Sequence, residues 1–180
     1  MTDELNSSPK GLLMVITGPG KGKTTSAIGM TMRAAGHGMK VLFIQFIKGS
    51  WKYGEMVSFA RFEDTIDFHV MGRGFTWKSD NLDEDRALAQ TAWEKAKDAI
   101  FSDEYQMIVL DEFTYLLLYG MVNPQEVLAV LKDKPKNLHL IITGRDALAE
   151  IKEQADLVTE INQLKHPMQE GIYAQKGVEF

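Results

Sequence analysis

The chain has 180 residues, of which 44% are hydrophobic and 25% charged, and it carries a formal net charge of −5. That length and mixture predict a single globular domain, and the acidic balance leaves no basic stripe for nucleic acid or an anionic membrane. With no cysteine in the chain, disulfides, thiolate catalysis and cysteine-held zinc or iron–sulfur clusters are excluded.

Residues 1–10 read as a poorly ordered polar lead-in without the apolar core of a signal peptide. No stretch reaches the ~18 consecutive apolar residues of a membrane span. A cytoplasmic protein is expected, with residues 11–180 as its one domain. Leu12 to Thr17 is an apolar run and predicts a buried strand. Lys23 to Ala35 carries Ala27, Met30 and Ala34 at helical spacing and ends at Gly36-His37-Gly38, which predicts a helix. Val41 to Phe46 is a second β-type run, so 12–46 forms a βαβ unit with parallel strands. Lys48 to Gly54 reads as an exposed loop with aromatics, and Ile66 to Met71 as a strand.

Asn81 to Phe101 is a long helix whose acidic first turn (Asp83, Glu84, Asp85) suits the helix dipole. Gln106–Leu110 and Leu138–Thr143 are further strands, and Pro124–Leu131 and Ala147–Gln154 are helices. Leu157 to Ile161 is a last short strand before a polar tail. Strands alternating with helices predict an α/β fold, a mostly parallel sheet with helices on both faces.

The first strand runs into Gly18-Pro19-Gly20-Lys21-Gly22-Lys23-Thr24-Thr25 and then into a helix. Strand, glycine-rich turn and helix start together build a triphosphate cradle. The backbone N–H groups converge on phosphate oxygens, Lys23 reaches the terminal phosphates and the Thr24 hydroxyl ligates Mg²⁺. The first glycine of the usual pattern is Thr17 here. The strand Met107 to Leu110 ends at Asp111-Glu112, where a phosphate-loop protein places the acid that holds Mg²⁺; a helix-capping carboxylate is the plain alternative. Arg145 follows another strand, so it faces either the ligand crevice of an open sheet or an ordinary turn. Arg33, late in the first helix, has the same two readings. Phe75 and Trp77 are large rings in a glycine-flanked loop. They fit a flat hydrophobic ligand, a partner surface or a satellite core.

Taken in order, these segments resemble the ATP:corrinoid adenosyltransferases of the CobA/CobO/BtuR type. The resemblance runs from about Gly11 to Phe180. It is carried by the phosphate loop, Arg33 to Gly38, Gln45 to Gly49, Gly74 to Trp77 and Leu110 to Tyr115. Ile142 to Arg145, Ala155 to Glu160, Lys165 to Pro167 and Ala174 to Gly177 complete it. The chain departs from it at Pro19, where members often carry asparagine, and at Lys78, where an acid is common.

The resemblance implies a RecA-like P-loop fold. It also implies transfer of the 5′-deoxyadenosyl group of ATP to Co(I) of a corrinoid, with release of triphosphate, in adenosylcobalamin synthesis or salvage. By resemblance, Gly18 to Thr25, Arg33 and Arg145 bind the nucleotide, and Thr24, Asp111 and Glu112 hold Mg²⁺. Lys23 stabilises the leaving triphosphate. Phe75 and Trp77 form an apolar wedge under the corrin that excludes the lower axial ligand and eases reduction of Co(II). A reduced flavoprotein as electron donor and a homodimer are implied as well. An ordinary P-loop ATPase or kinase, with Glu112 orienting the nucleophile, and a nucleotide-gated corrinoid carrier are the competing readings.

Overall fold

A computed structural model describes residues 10–47, 53–72 and 82–180. Its strands are β1 (Leu13–Thr17), β2 (Val41–Gln45), β3 (Ile66–Val70), β4 (Met107–Asp111), β5 (His139–Thr143) and β6 (Leu157–Glu160). They form one sheet in the order β3-β2-β4-β5-β1-β6, and each of these pairings is parallel. Parallel strands need crossovers, which the helices provide. These are α1 (Lys23–Gly36), α2 (Gly54–Phe59), α3 (Leu82–Phe101), α4 (Thr114–Leu118), α5 (Pro124–Asp133) and α6 (Ala149–Gln154).

The inner strands are apolar at nearly every position because both of their faces are covered. Leu13, Val15, Leu42, Ile44, Ile108, Leu110, Leu140 and Ile142 point to one side, where α3, α4, α5 and α6 contribute Trp93, Leu116, Val127 and Ile151. Met14, Ile16, Val41, Phe43, Val109 and Ile141 point to the other, against Ala27 and Ala34 of α1 and Phe59 of α2. The edge strand β6 is exposed at all four positions, so the covering stops short of it.

Two helices were not legible as periodic segments. Gly54 opens α2 rather than closing an exposed loop. Phe59 anchors that helix, with its ring centroid 5.4 Å from Phe43 and 5.3 Å from Phe68. The second is α4, one and a half turns that follow β4 directly. Residues 48–52 and 73–81 lie outside the described set, and with them Phe75, Trp77 and Lys78.

Candidate active site

In a parallel sheet all strands point the same way, so their C-terminal ends make one rim, and open α/β sheets bind ligands there. Four inner strands end at that rim in a buried polar residue: Thr17, Gln45, Asp111 and Thr143. A polar side chain that closes an apolar strand must find partners, and here they find one another.

Asp111 is the hub. Its Oδ1 accepts hydrogen bonds from Thr24 Oγ1 at 2.9 Å and from Thr143 Oγ1 at 2.7 Å. Its Oδ2 accepts from Gln45 Nε2 at 3.2 Å. Strand β5 separates β4 from β1, and Thr143 bridges the gap. Its hydroxyl donates to Asp111 and accepts from the backbone N–H of Glu112 at 2.9 Å. Glu112 has a φ of 60°, a left-handed backbone that turns the chain sharply out of β4.

The phosphate loop joins β1 to α1. Gly22 precedes the helix with a φ of 119° and no side-chain cap, so the first-turn N–H groups are not claimed by a capping side chain. Lys23 is buried, and its ammonium donates to the carbonyls of Gly18 at 2.9 Å and Gly20 at 2.8 Å. Burial pushes its pKa down, while the carboxylates of Glu112 and Asp111 pull it back up and Arg145 adds to the lowering. Thr17, which stands where a glycine is usual, accepts from the N–H of Ala147 at 3.2 Å and so ties the loop to the chain beyond β5. Arg145 reaches the rim through Gly144, whose φ is 141° and whose missing side chain leaves room for Thr114 Oγ1. That hydroxyl donates to the Arg145 carbonyl at 2.7 Å.

The segment after β6 lies directly on the loop. Ile161 accepts from Gly20 N and donates to Thr17 O, both at 2.8 Å. A side chain at Gly18 would meet the Ile161 carbonyl at 2.5 Å. Farther along, Glu179 pairs with Lys21. The polar tail therefore forms one wall of a cleft of about 700 Å³. Pro19 to Thr25, Glu112 and Arg145 line it, together with Glu55, Tyr115, His166 and Glu179.

The structure thus brings together Gly18 to Thr25, Asp111, Glu112 and Arg145. It does not bring Arg33 to them. That residue is exposed in the last turn of α1, ten residues and about 15 Å of helical rise beyond Lys23. Gln45 and Glu55 are site residues that sequence reasoning passed over as such. The signal for Gln45 was present, an amide closing a strand that is otherwise Val-Leu-Phe-Ile.

Residues 9–180 match the family model of the ATP:corrinoid adenosyltransferase BtuR/CobO/CobP. The chain belongs to that family. It is 44% identical to the corrinoid adenosyltransferase of Pseudomonas aeruginosa over 95% of this chain and 84% of that one. With that of Escherichia coli K12 it shares 40% identity over 95% and 86%, and with CobA of Salmonella typhimurium 39% over the same shares. Among solved structures, the fold is similar to the flagellar accessory protein FlaH of Methanocaldococcus jannaschii. There the TM-score is 0.63 at 13% identity, over 88% of this chain and 74% of that one. A KaiC-like protein of Pyrococcus horikoshii gives 0.50 at 17% identity over 87% and 74%. These likenesses concern the fold, the parallel sheet covered by helices. As a corrinoid adenosyltransferase, the chain uses ATP to adenosylate corrinoids in cobalamin synthesis.

The hydroxyl of Thr24 and the carboxylates of Asp111 and Glu112 are hard oxygen donors of the kind Mg²⁺ selects. Mg²⁺ asks for only one or two carboxylates beside phosphates and water. Among the described residues no group of three or more His, Cys, Asp or Glu has metal-holding geometry. The donor set therefore fits Mg²⁺ brought in with a nucleotide better than a resident all-protein metal. Among the same residues, no helix is long and apolar enough to cross a membrane.

Proposed function

We propose that this cleft holds the triphosphate of ATP as a leaving group while the 5′ carbon is presented to Co(I) of the corrinoid. The observation that carries this reading is the Lys23 ammonium. It is buried against the carbonyls of its own loop, and Thr24 and Asp111 are joined at 2.9 Å on the next residue of α1.

Co(I) is itself a strong nucleophile, so no serine, cysteine or histidine is needed to attack. The cobalt–carbon bond forms with the cobalt electron pair, and the bond from the 5′ carbon to oxygen breaks. Its electron pair goes to the triphosphate. The negative charge that gathers there meets the loop N–H groups and the ammoniums of Lys23 and Lys21. Arg145, which lines the same cleft beyond β5, binds the nucleotide beside the loop. Thr24, Asp111 and Glu112 would hold Mg²⁺, which supplies charge neutralisation on the phosphates. Holding carbon and cobalt in line supplies the remaining advantage.

Phe75 and Trp77 are proposed as the apolar wedge beneath the corrin, a role supported by the family resemblance. A reduced flavoprotein as electron donor, a homodimer and a cytoplasmic location rest on the same support. The test is anaerobic incubation of the chain with ATP, Mg²⁺, a reducing system and cob(II)alamin. A light-sensitive adenosylcobalamin spectrum that requires ATP is expected. Turnover of ATP without a new cobalt–carbon bond would overturn the reading in favour of an ATPase.

A further inference from the structure

Gln45 is fully buried at the end of β2, directly across from Asp111 in the ladder. Its carboxamide has two hydrogens on one nitrogen, and both have carboxylate partners. Nε2 lies 3.2 Å from Asp111 Oδ2 and makes a longer contact of 3.4 Å with Glu55 Oε1. The orientation follows from chemistry, because the reversed amide would set a carbonyl oxygen against two carboxylate oxygens. The other end of the group has no such return. Gln45 Oε1 is buried and has no hydrogen-bond partner among the described residues.

A buried acceptor without a partner costs stability. An unbranched apolar side chain of the same length would avoid that cost but would take from the fully buried Asp111 one of its donors. Gln45 is therefore a specific choice for the acids, made at the expense of its own unpartnered oxygen. Glu55 stands in the first turn of α2 and lines the cleft, so the amide ties a cleft wall to the carboxylate that already binds Thr24. It also stands between two like charges that would otherwise repel.

We infer that Gln45 is a positioning residue for the cation that accompanies ATP, fixing Asp111 and Glu55 in one frame through its bridging amide. The inference rests on the cation reading above. It assigns Glu55 to the cation side of the cleft and gives α2 a reason to be docked there.

Gln45→Met in the full chain tests it. The measurements are calorimetric binding of ATP without corrinoid, once with Mg²⁺ and once in EDTA, and thermal melting of the same samples. We expect a cooperative melt at a somewhat lower temperature, since Asp111 Oδ2 loses a donor, with ATP binding about tenfold weaker with Mg²⁺ and no change in EDTA. Gln45→Asn keeps an amide one methylene too short to bridge. It should show the same Mg²⁺-specific loss, and it carries the test if the Met variant does not fold. Binding equal to wild type in both conditions, or weakened equally in both, would overturn the inference. A wild-type chain that binds ATP no better with Mg²⁺ than in EDTA would instead overturn the cation reading itself.

Discussion

Among the described residues, Lys23 and Lys134 each turn their ammonium onto main-chain carbonyls. Lys23, at the C-terminal rim of the sheet, donates to the carbonyls of Gly18 and Gly20. Lys134, near the opposite end, donates to those of Gly11 and Leu138 at 2.9 and 2.8 Å and to that of Pro135 at 3.3 Å. Burial pushes both pKa values down. The surroundings differ. Lys23 faces Glu112, Asp111 and Arg145 across a cleft, so its charge is placed where a ligand's charge can join it. Lys134 has Asp156 and Lys10 as its charged neighbours, and its three hydrogens pin the lead into β1 to the lead into β5. A desolvated ammonium becomes a functional group through its neighbours, since main-chain hydrogen bonds alone serve a half-buried stitch such as Lys134 equally well.

Breaking the two lysines should separate these roles. Lys23→Ala is expected to lower the transfer rate from chemically prepared Co(I) at least about a hundredfold, the scale of losing one preorganised charge-stabilising donor. Its melting temperature should fall as well, because the Gly18 and Gly20 carbonyls lose their donor. Lys134→Met should separate the two readouts. Lost hydrogen bonds worth about 1–3 kcal/mol lower the melting temperature by roughly 3–10 °C for a chain of this size, with transfer at 25 °C nearly unchanged. A Lys134 variant that melts normally but fails in transfer would end the comparison.

Asp111→Asn sharpens the contrast on the Lys23 side. The uncharged amide still fills the space between Thr24 and Thr143 but loses the charge. An increase of about ten- to a hundredfold in the Mg²⁺ needed for half-maximal transfer is expected, read from a Mg²⁺ titration. Trp77→Ala should fail mainly when the assay begins from Co(II), and equal loss from Co(I) and Co(II) would contradict the wedge role.

The smallest effect belongs to the Lys134 side. His139 accepts from the backbone N–H of Leu12 at 3.2 Å through Nδ1, and burial, with Lys134 nearby, pushes its pKa below the usual 6.5. The unfolded chain then takes up the proton at a higher pH than the folded one. The stabilising contribution is therefore present above pH 6.5 and is lost as pH falls through the folded value. His69, lowered by burial and by Lys95, adds in the same direction. Melting temperatures should decline from pH 7 to pH 5, and His139→Gln should flatten part of that decline.

The sheet was legible because fully buried parallel strands leave continuous apolar runs, and Leu13–Thr17, Val41–Gln45 and His139–Thr143 fall where those runs predicted. The phosphate loop was legible because its backbone demands glycine and its chemistry demands Lys23 and Thr24. What failed to show had no residue-type mark. Ile161, at the end of the last predicted strand, is fixed on the loop by two main-chain bonds that carry no residue-type mark, so the tail beyond it reads only as a polar end. Helix α2 has six residues and one buried side chain, Phe59, too few to declare a period. Arg33 differs: its type left two readings open, the resemblance implied nucleotide binding, and α1 carries it to an exposed position in its last turn. Gln45 was visible as an amide in an apolar strand, yet only the pairing of β2 with β4 sets it against Asp111.

The most direct measurement is the phosphorus spectrum of a single-turnover reaction of the wild-type chain with ATP, Mg²⁺ and Co(I) corrinoid. If the cradle around Lys23 holds a leaving group, intact triphosphate appears in one-to-one ratio with the adenosylated corrinoid. ADP with phosphate, in amounts unrelated to the corrinoid product, would contradict the account.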